Sequence, residues 1–194
     1  MNRRNSMTAI LLVSATLVSF AAEFARAAET FEIDGSHTSV LFRIKHLGVS
    51  FFYGRFTDVS GSVVLDDDPA KCSMILVIKS DSINTDSEKR DAHLKSPDFF
   101  NARQFPEITF KSTSIKAAGE NQLEVTGDLT LHGVTKSITV TVDRTGSGSD
   151  PWGGYRTGLE TTITIKRSDY GMKFMLKGLS DEVKLVISIE GIRQ

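Results

Sequence analysis

One cysteine in 194 residues leaves no partner for an intrachain disulfide, so the fold must rest on apolar burial. Cys72 also lies far from the N-terminal segment, which excludes a lipid-anchored cysteine at a processed N-terminus. It reads as a small residue at a strand start, with intermolecular pairing as the alternative. Neither sign of charge dominates, with 23 basic and 24 acidic residues. There is no basic run, which argues against nucleic acid as a partner and offers no linear membrane-surface patch. The four histidines, His37, His46, His93 and His132, lack the tight spacings of zinc ligands, so no metal is expected. A nucleophile elbow and a phosphate-cradling loop are also missing, and without them no acid–base or nucleophilic group is ordered for catalysis. An enzyme is not expected, and a hydrolase is the weakest alternative.

Long apolar runs are absent beyond the N-terminus. There, Arg3 and Arg4 precede an apolar stretch from Thr8 to Ala22, and Ala25-Arg26-Ala27 follows with small residues at both cleavage-specificity positions. This is the pattern of a cleaved export signal over residues 1–27. The stretch falls short of the roughly 20 residues that span a bilayer. Secretory export to the periplasm is expected, the Arg-Arg pair lacking the flanks of a twin-arginine signal. Cleavage leaves residues 28–194 as one domain with 20 basic and 23 acidic residues.

What is present is alternation with a period of two. Val40, Phe42 and Ile44 oppose Leu41, Arg43 and Lys45; Leu159, Thr161, Ile163 and Ile165 oppose Glu160, Thr162, Thr164 and Lys166. Similar phases run through 74–78, 107–111 and 183–190. Half-buried antiparallel strands produce this pattern. If His132-Gly133 is a two-residue turn, Leu131, Leu129, Gly127, Val125 and Leu123 face Val134, Lys136, Ile138, Val140 and Val142. A one-residue slip would set apolar against polar side chains.

The region 85–106 breaks the pattern. Thr85-Asp86-Ser87-Glu88 reads as a capping box opening a helix to about Leu94, and Ser96-Pro97 reads as a second helix start. The stretch 147–155 reads as a hairpin tip. About eight strands, each with one dry face, must pack on another sheet or close on themselves. An all-β antiparallel barrel with a short helical insertion is expected, since closure removes the edges. A sandwich, solid inside, is the alternative.

Several segments occur together in order: Asp34-Gly-Ser-His-Thr-Ser-Val-Leu-Phe, His46, Gly54-Arg-Phe, Arg90-Asp-Ala-His-Leu and Ser96-Pro-Asp-Phe-Phe. They continue with Phe105-Pro-Glu-Ile-Thr-Phe, Gly127-Asp-Leu-Thr-Leu-His-Gly-Val-Thr-Lys and Arg167-Ser-Asp-Tyr-Gly. In these the chain resembles the YceI-like family over essentially all of residues 28–194. The resemblance implies a lipocalin-like barrel with an elongated internal pore. It also implies a polyisoprenoid, quinone-type or other long-chain lipid as ligand in place of a cofactor, homodimers, and an association with stress conditions. A scaffold or partner role beside an inner-membrane quinone-linked protein is the alternative function.

On this basis the inward phases nominate Phe42, Ile44, Phe56, Leu76, Phe110, Leu129, Leu131, Ile163, Leu185 and Ile187 as pore lining, with ordinary solid core as the competing role. A buried tail would gain about 0.8 kcal/mol per methylene. Apolar connections (Phe51-Phe52-Tyr53, Phe99-Phe100 and the segment 172–176 containing Phe174) are expected to plug or gate an end. His93 and Arg90 are candidates to touch a head group, against a structural hydrogen-bonding role. Lys136, on an apolar face, would pair with an anionic head or extend to solvent. Arg167 and Asp169 are expected to form a turn-fixing ion pair.

Overall fold

A computed structural model describes residues 27–194; residues 1–26, which carry the expected export signal, lie outside the described residues. The strands are β1 (Glu29–Ile33), β2 (Ser39–His46), β3 (Ser50–Phe56), β4 (Val59–Leu65), β5 (Ser73–Lys79), β6 (Ile83–Asn84), β7 (Glu107–Gly119), β8 (Gln122–Leu131), β9 (Val134–Ser149), β10 (Tyr155–Lys166) and β11 (Leu179–Arg193). Short interruptions join β1 to β2, β3 to β4 and β5 to β6, and each pair acts as one bent stave. β1 pairs with β4 while β2 pairs with β3, and β4 pairs with β5 while β3 pairs with β6. β5 then meets β7, the order runs on through β8, β9 and β10 to β11, and β11 closes on both β1 and β2. The result is a closed antiparallel up-and-down barrel of eight staves, so the expectation of a closed barrel holds and the sandwich does not.

The β8–β9 hairpin follows the expected register from Leu131↔Val134 to Leu123↔Val142. His132 and Gly133 both take positive φ (52° and 73°), as a type I′ turn demands. On the outer face, Thr126 bonds Thr139 and Thr130 bonds Thr135, each at 2.8 Å, the cross-strand pairing that stabilises a wet sheet face.

The helical insertion differs from expectation. Helix α1 (Glu88–Leu94) has Ser87 at its N-cap with no side-chain capping bond. Thr85 is buried instead, and its hydroxyl bonds the Asp91 carboxylate, while Arg90 Nη2 donates to the Thr85 carbonyl at 2.6 Å. Burial of Thr85 removes it from the cap and turns it into a tie between strand and helix. No second helix starts at Ser96. The amides of Phe100 and Ala102 donate back to the carbonyls of Leu94 and Lys95 (both 3.0 Å), folding the chain over the end of α1.

The interior divides into two halves. Phe31, Val63, Met74, Ile115, Leu123, Val125, Val142 and Leu159 fill one end as solid core. The other end holds a looser apolar cluster around Val40, Phe56, Ile78, Ile108 and Leu131. Phe110 and Ile189 touch both clusters and form the floor between them. At Gly127 a Cβ would overlap the Phe110 ring, so glycine there leaves room for the ring against β8. At the solid end, Arg156 donates to Asp34 (2.8 Å), Asp150 (2.9 Å) and Glu190 (2.5 Å). Among the described residues no helix is long and apolar enough to cross a membrane.

Candidate functional site

A cavity of about 510 Å³ occupies the looser half of the barrel. Four strands supply most of its wall because paired residues share a face. Val40, Phe42 and Ile44 on β2 lie opposite Ile187, Leu185 and Val183 on β11, and opposite Phe56, Gly54 and Phe52 on β3. Ile163 and Ile165 on β10 oppose Leu185 and Val183. Side chains on these strands stay on the inner face because the side-chain period is two. Helix α1, Phe99, Phe100 and the segment 172–175 form the roof and rim.

Of the residues nominated for the pore, Phe42, Ile44, Phe56, Leu129, Leu131, Ile163, Leu185 and Ile187 line this cavity, and Leu76 and Phe110 do not. Leu76 and Phe110 face each other across β5 and β7 at the level of the floor. Their inward phase is right, but they lie between the two apolar clusters, Leu76 buried and Phe110 half-buried, below the cavity. The internal pore that the resemblance implies is confined to one half of the barrel, as a blind pocket above the packed half.

Among residues nominated for the mouth, Arg90, His93, Phe99, Phe100 and Phe174 line the cavity, whereas Lys136 is absent from it. Lys136 reaches out to Asp169 at 3.7 Å, the solvent-directed alternative. This contact also removes Asp169 from Arg167, so the expected turn-fixing ion pair does not form. Arg167, only 3 % exposed, donates to four carbonyls: Ser180 (3.0 Å), Met172 (3.0 Å), Phe174 (2.8 Å) and Leu179 (3.1 Å). Burial pulls its guanidinium below the usual arginine range, partly countered by Asp181. It pins the rim segment to β11.

Arg90 and His93 at the cavity are also committed. The Arg90 guanidinium lies 4.1 Å over the Phe52 ring, with Nε donating to the Thr85 hydroxyl at 2.8 Å. His93 bonds Asp98 at 2.8 Å and meets Phe99 and Phe174 edge-on, with ring centroids 5.1 and 5.3 Å away. The wall thus offers shape and apolar contact, with its cations held by the protein itself.

Alternation already carried some residues that were not nominated, such as Val40, Ile165 and Val183, while Phe51-Phe52-Tyr53, expected in a connection, lies on β3. Leu94 closes the short helix α1, and Met172 and Met175 lie in the irregular segment 172–176 already expected at an end; neither stretch has a period long enough to signal which way a side chain points. Asp34, His37 and Glu190 converge closely enough to suggest a cation site, but the Arg156 guanidinium stands on both carboxylates.

A closed up-and-down barrel, packed at one end and hollow under a helical flap at the other, defines a lipocalin-like internal-pocket protein. The YceI-like domain matches residues 31–191, and this chain belongs to the YceI-like family. A UPF0312 protein of Pseudomonas aeruginosa is 44% identical, with 98% of this chain and 99% of that one aligned. BcnA of Burkholderia cenocepacia has a similar crystal structure, with a TM-score of 0.75 at 24% identity, covering 81% of this chain and 98% of that one. A polyisoprenoid binding domain from Saccharophagus degradans shares the fold at a TM-score of 0.68 and 17% identity, covering 84% and 98%.

Proposed function

We propose that this protein binds one long apolar lipid, an isoprenoid or similar amphiphile, and carries or sequesters it in the periplasm. The observation that carries this reading is the cavity itself. A space of about 510 Å³ walled by Phe, Leu, Ile and Met side chains falls within the roughly 300–1,000 Å³ of ordinary ligand pockets. Left to water, such a surface is unfavourable; a hydrocarbon chain removes it from water and gains about 25 cal/mol for each Å² covered. The likeness to a polyisoprenoid binding domain supports the ligand class, and the segment resembling an export signal supports the compartment. The commitment of Arg90, His93 and Arg167 to internal partners supports binding by shape over chemistry on the ligand. Organic extraction of purified protein followed by mass spectrometry tests the reading. A prenyl or long-chain lipid in stoichiometric amount is expected. Recovery of none, together with no uptake of added prenols, would overturn it.

A further inference from the structure

The rim of the cavity exposes apolar side chains where a soluble protein ordinarily places polar ones. The β2–β3 turn carries Leu47 and Val49 at its tip, 58% and 84% exposed, and Phe51 beside them is 50% exposed. Phe174, Met175 and Leu176 stand exposed on the neighbouring segment. The two segments are joined: the Leu47 amide donates to the Gly178 carbonyl at 2.7 Å, and a Cβ at Gly178 would touch both Met175 and Leu47. These six residues form one patch continuous with the cavity, since Phe51, Phe174 and Met175 also line it. Clustered exposed apolar groups of this kind mark an interaction surface.

Charge identifies the partner. The patch is bordered by Lys45, Lys173 and Lys177, all exposed, and neither 45–53 nor 170–179 contains an acidic residue. None of the three lysines is in an ion pair among the described residues. The opposite pole leans the other way: Asp66, Asp67 and Asp68 sit together in the β4–β5 connection with Lys71 as the cation beside Asp66, and Glu120 lies between β7 and β8. No linear run of basic residues announces this, because Lys45 near the end of β2 meets Lys173 and Lys177, from the segment before β11, only in the fold.

We propose that the mouth of the barrel docks on an anionic lipid bilayer, with Leu47, Val49, Phe51 and Met175 entering the headgroup–acyl boundary and the three lysines lying against acidic headgroups. A chain leaving the cavity would then enter the bilayer without crossing water. That use rests on the lipid-binding reading, whereas docking itself rests on the rim. Interfacial binding of this kind scales with buried apolar area plus attraction to anionic lipid.

The test uses the processed protein and vesicles free of prenyl lipid, so that it is independent of cavity loading. Sedimentation with vesicles of phosphatidylethanolamine and phosphatidylglycerol should show binding that salt weakens, and vesicles of phosphatidylcholine alone should bind far less. Val49→Glu should remove binding while leaving the circular dichroism spectrum intact. Replacing Lys45, Lys173 and Lys177 by Gln should lower partitioning by roughly 100-fold. Orientation has its own readout, because the single tryptophan, Trp152, is 80% exposed on the β9–β10 turn at the far pole. Its emission should not shift on vesicle binding, whereas Phe51→Trp in a Trp152→Phe background should shift to the blue. Failure to bind anionic vesicles at low salt would overturn docking, as would a blue shift of Trp152 itself. So would a stable dimer that Val49→Glu dissolves, which would assign the rim to a second copy of the chain. Vesicle binding with no lipid on extraction and no uptake of added prenols would sink the carrier reading and leave docking standing.

Discussion

The floor at Phe110 and Ile189 sets a limit on how much of a chain the pocket can hold. A water takes about 30 Å³ of liquid volume, close to the size of a methylene, so about 510 Å³ accommodates roughly 17 such groups. Each group moved from water into the pocket contributes about 0.8 kcal/mol, roughly a fourfold gain in affinity. In a series of linear alcohols or prenols of increasing length, affinity should therefore climb steeply and then level off near about 17 carbons, where further groups remain outside the mouth. Displacement of an environment-sensitive fatty probe, with each ligand kept monomeric, measures the slope and the break. Leu185→Phe adds about three carbons to the wall and should bring the break earlier by about that number. A slope near zero would refute apolar burial as the source of affinity. An unbroken rise well past about 20 carbons would refute the blind floor and indicate a through-going channel.

Other perturbations separate wall, floor and frame. Phe110→Ala should cost about 3 kcal/mol in urea denaturation because its ring packs against both apolar clusters, whereas Ile163→Ala on the hollow side should cost less than about 2 kcal/mol and act mainly on ligand affinity. Arg167→Met would strip the donor from four carbonyls, and a loss of about 3–5 kcal/mol is expected, with faster amide exchange across residues 172–179. Asp34 is held well below the usual carboxylate range by hydrogen bonds from Ser36, then Arg156 and His37. Its folded pKa lies beneath the ordinary value of 3.8, so its contribution is complete above that pH and is lost as pH falls through the folded value. Arg156→Met should flatten this acid-side decline in a series of denaturation curves from neutral to strongly acidic pH; an unchanged decline would assign it to other groups.

Much of the barrel was legible residue by residue. Leu123 to Val142 pair as the apolar phase and the His132-Gly133 turn require, because a slip by one residue inverts every side chain. The same phase picked out Phe42, Ile163 and Leu185 as inward. It also picked out Leu76 and Phe110, since a period of two reports face and says nothing of height along the barrel. Thr85 illustrates a different limit. Its spacing to Glu88 matches a capping box, but burial turned the hydroxyl toward Asp91. For Arg167, the nearby Asp169 suggested a partner, yet Lys136 from another strand holds that carboxylate.

Alternating residues determined strands, their wet and dry faces and the closure that follows from having one dry face per strand. Height was decided only in three dimensions. Whether a dry position meets neighbouring atoms or empty space depends on what the other seven staves place at the same level, and local periodicity carries no record of that. The same holds for the rim, where Leu47 and Met175 are far apart in the chain and become one surface only because the barrel closes.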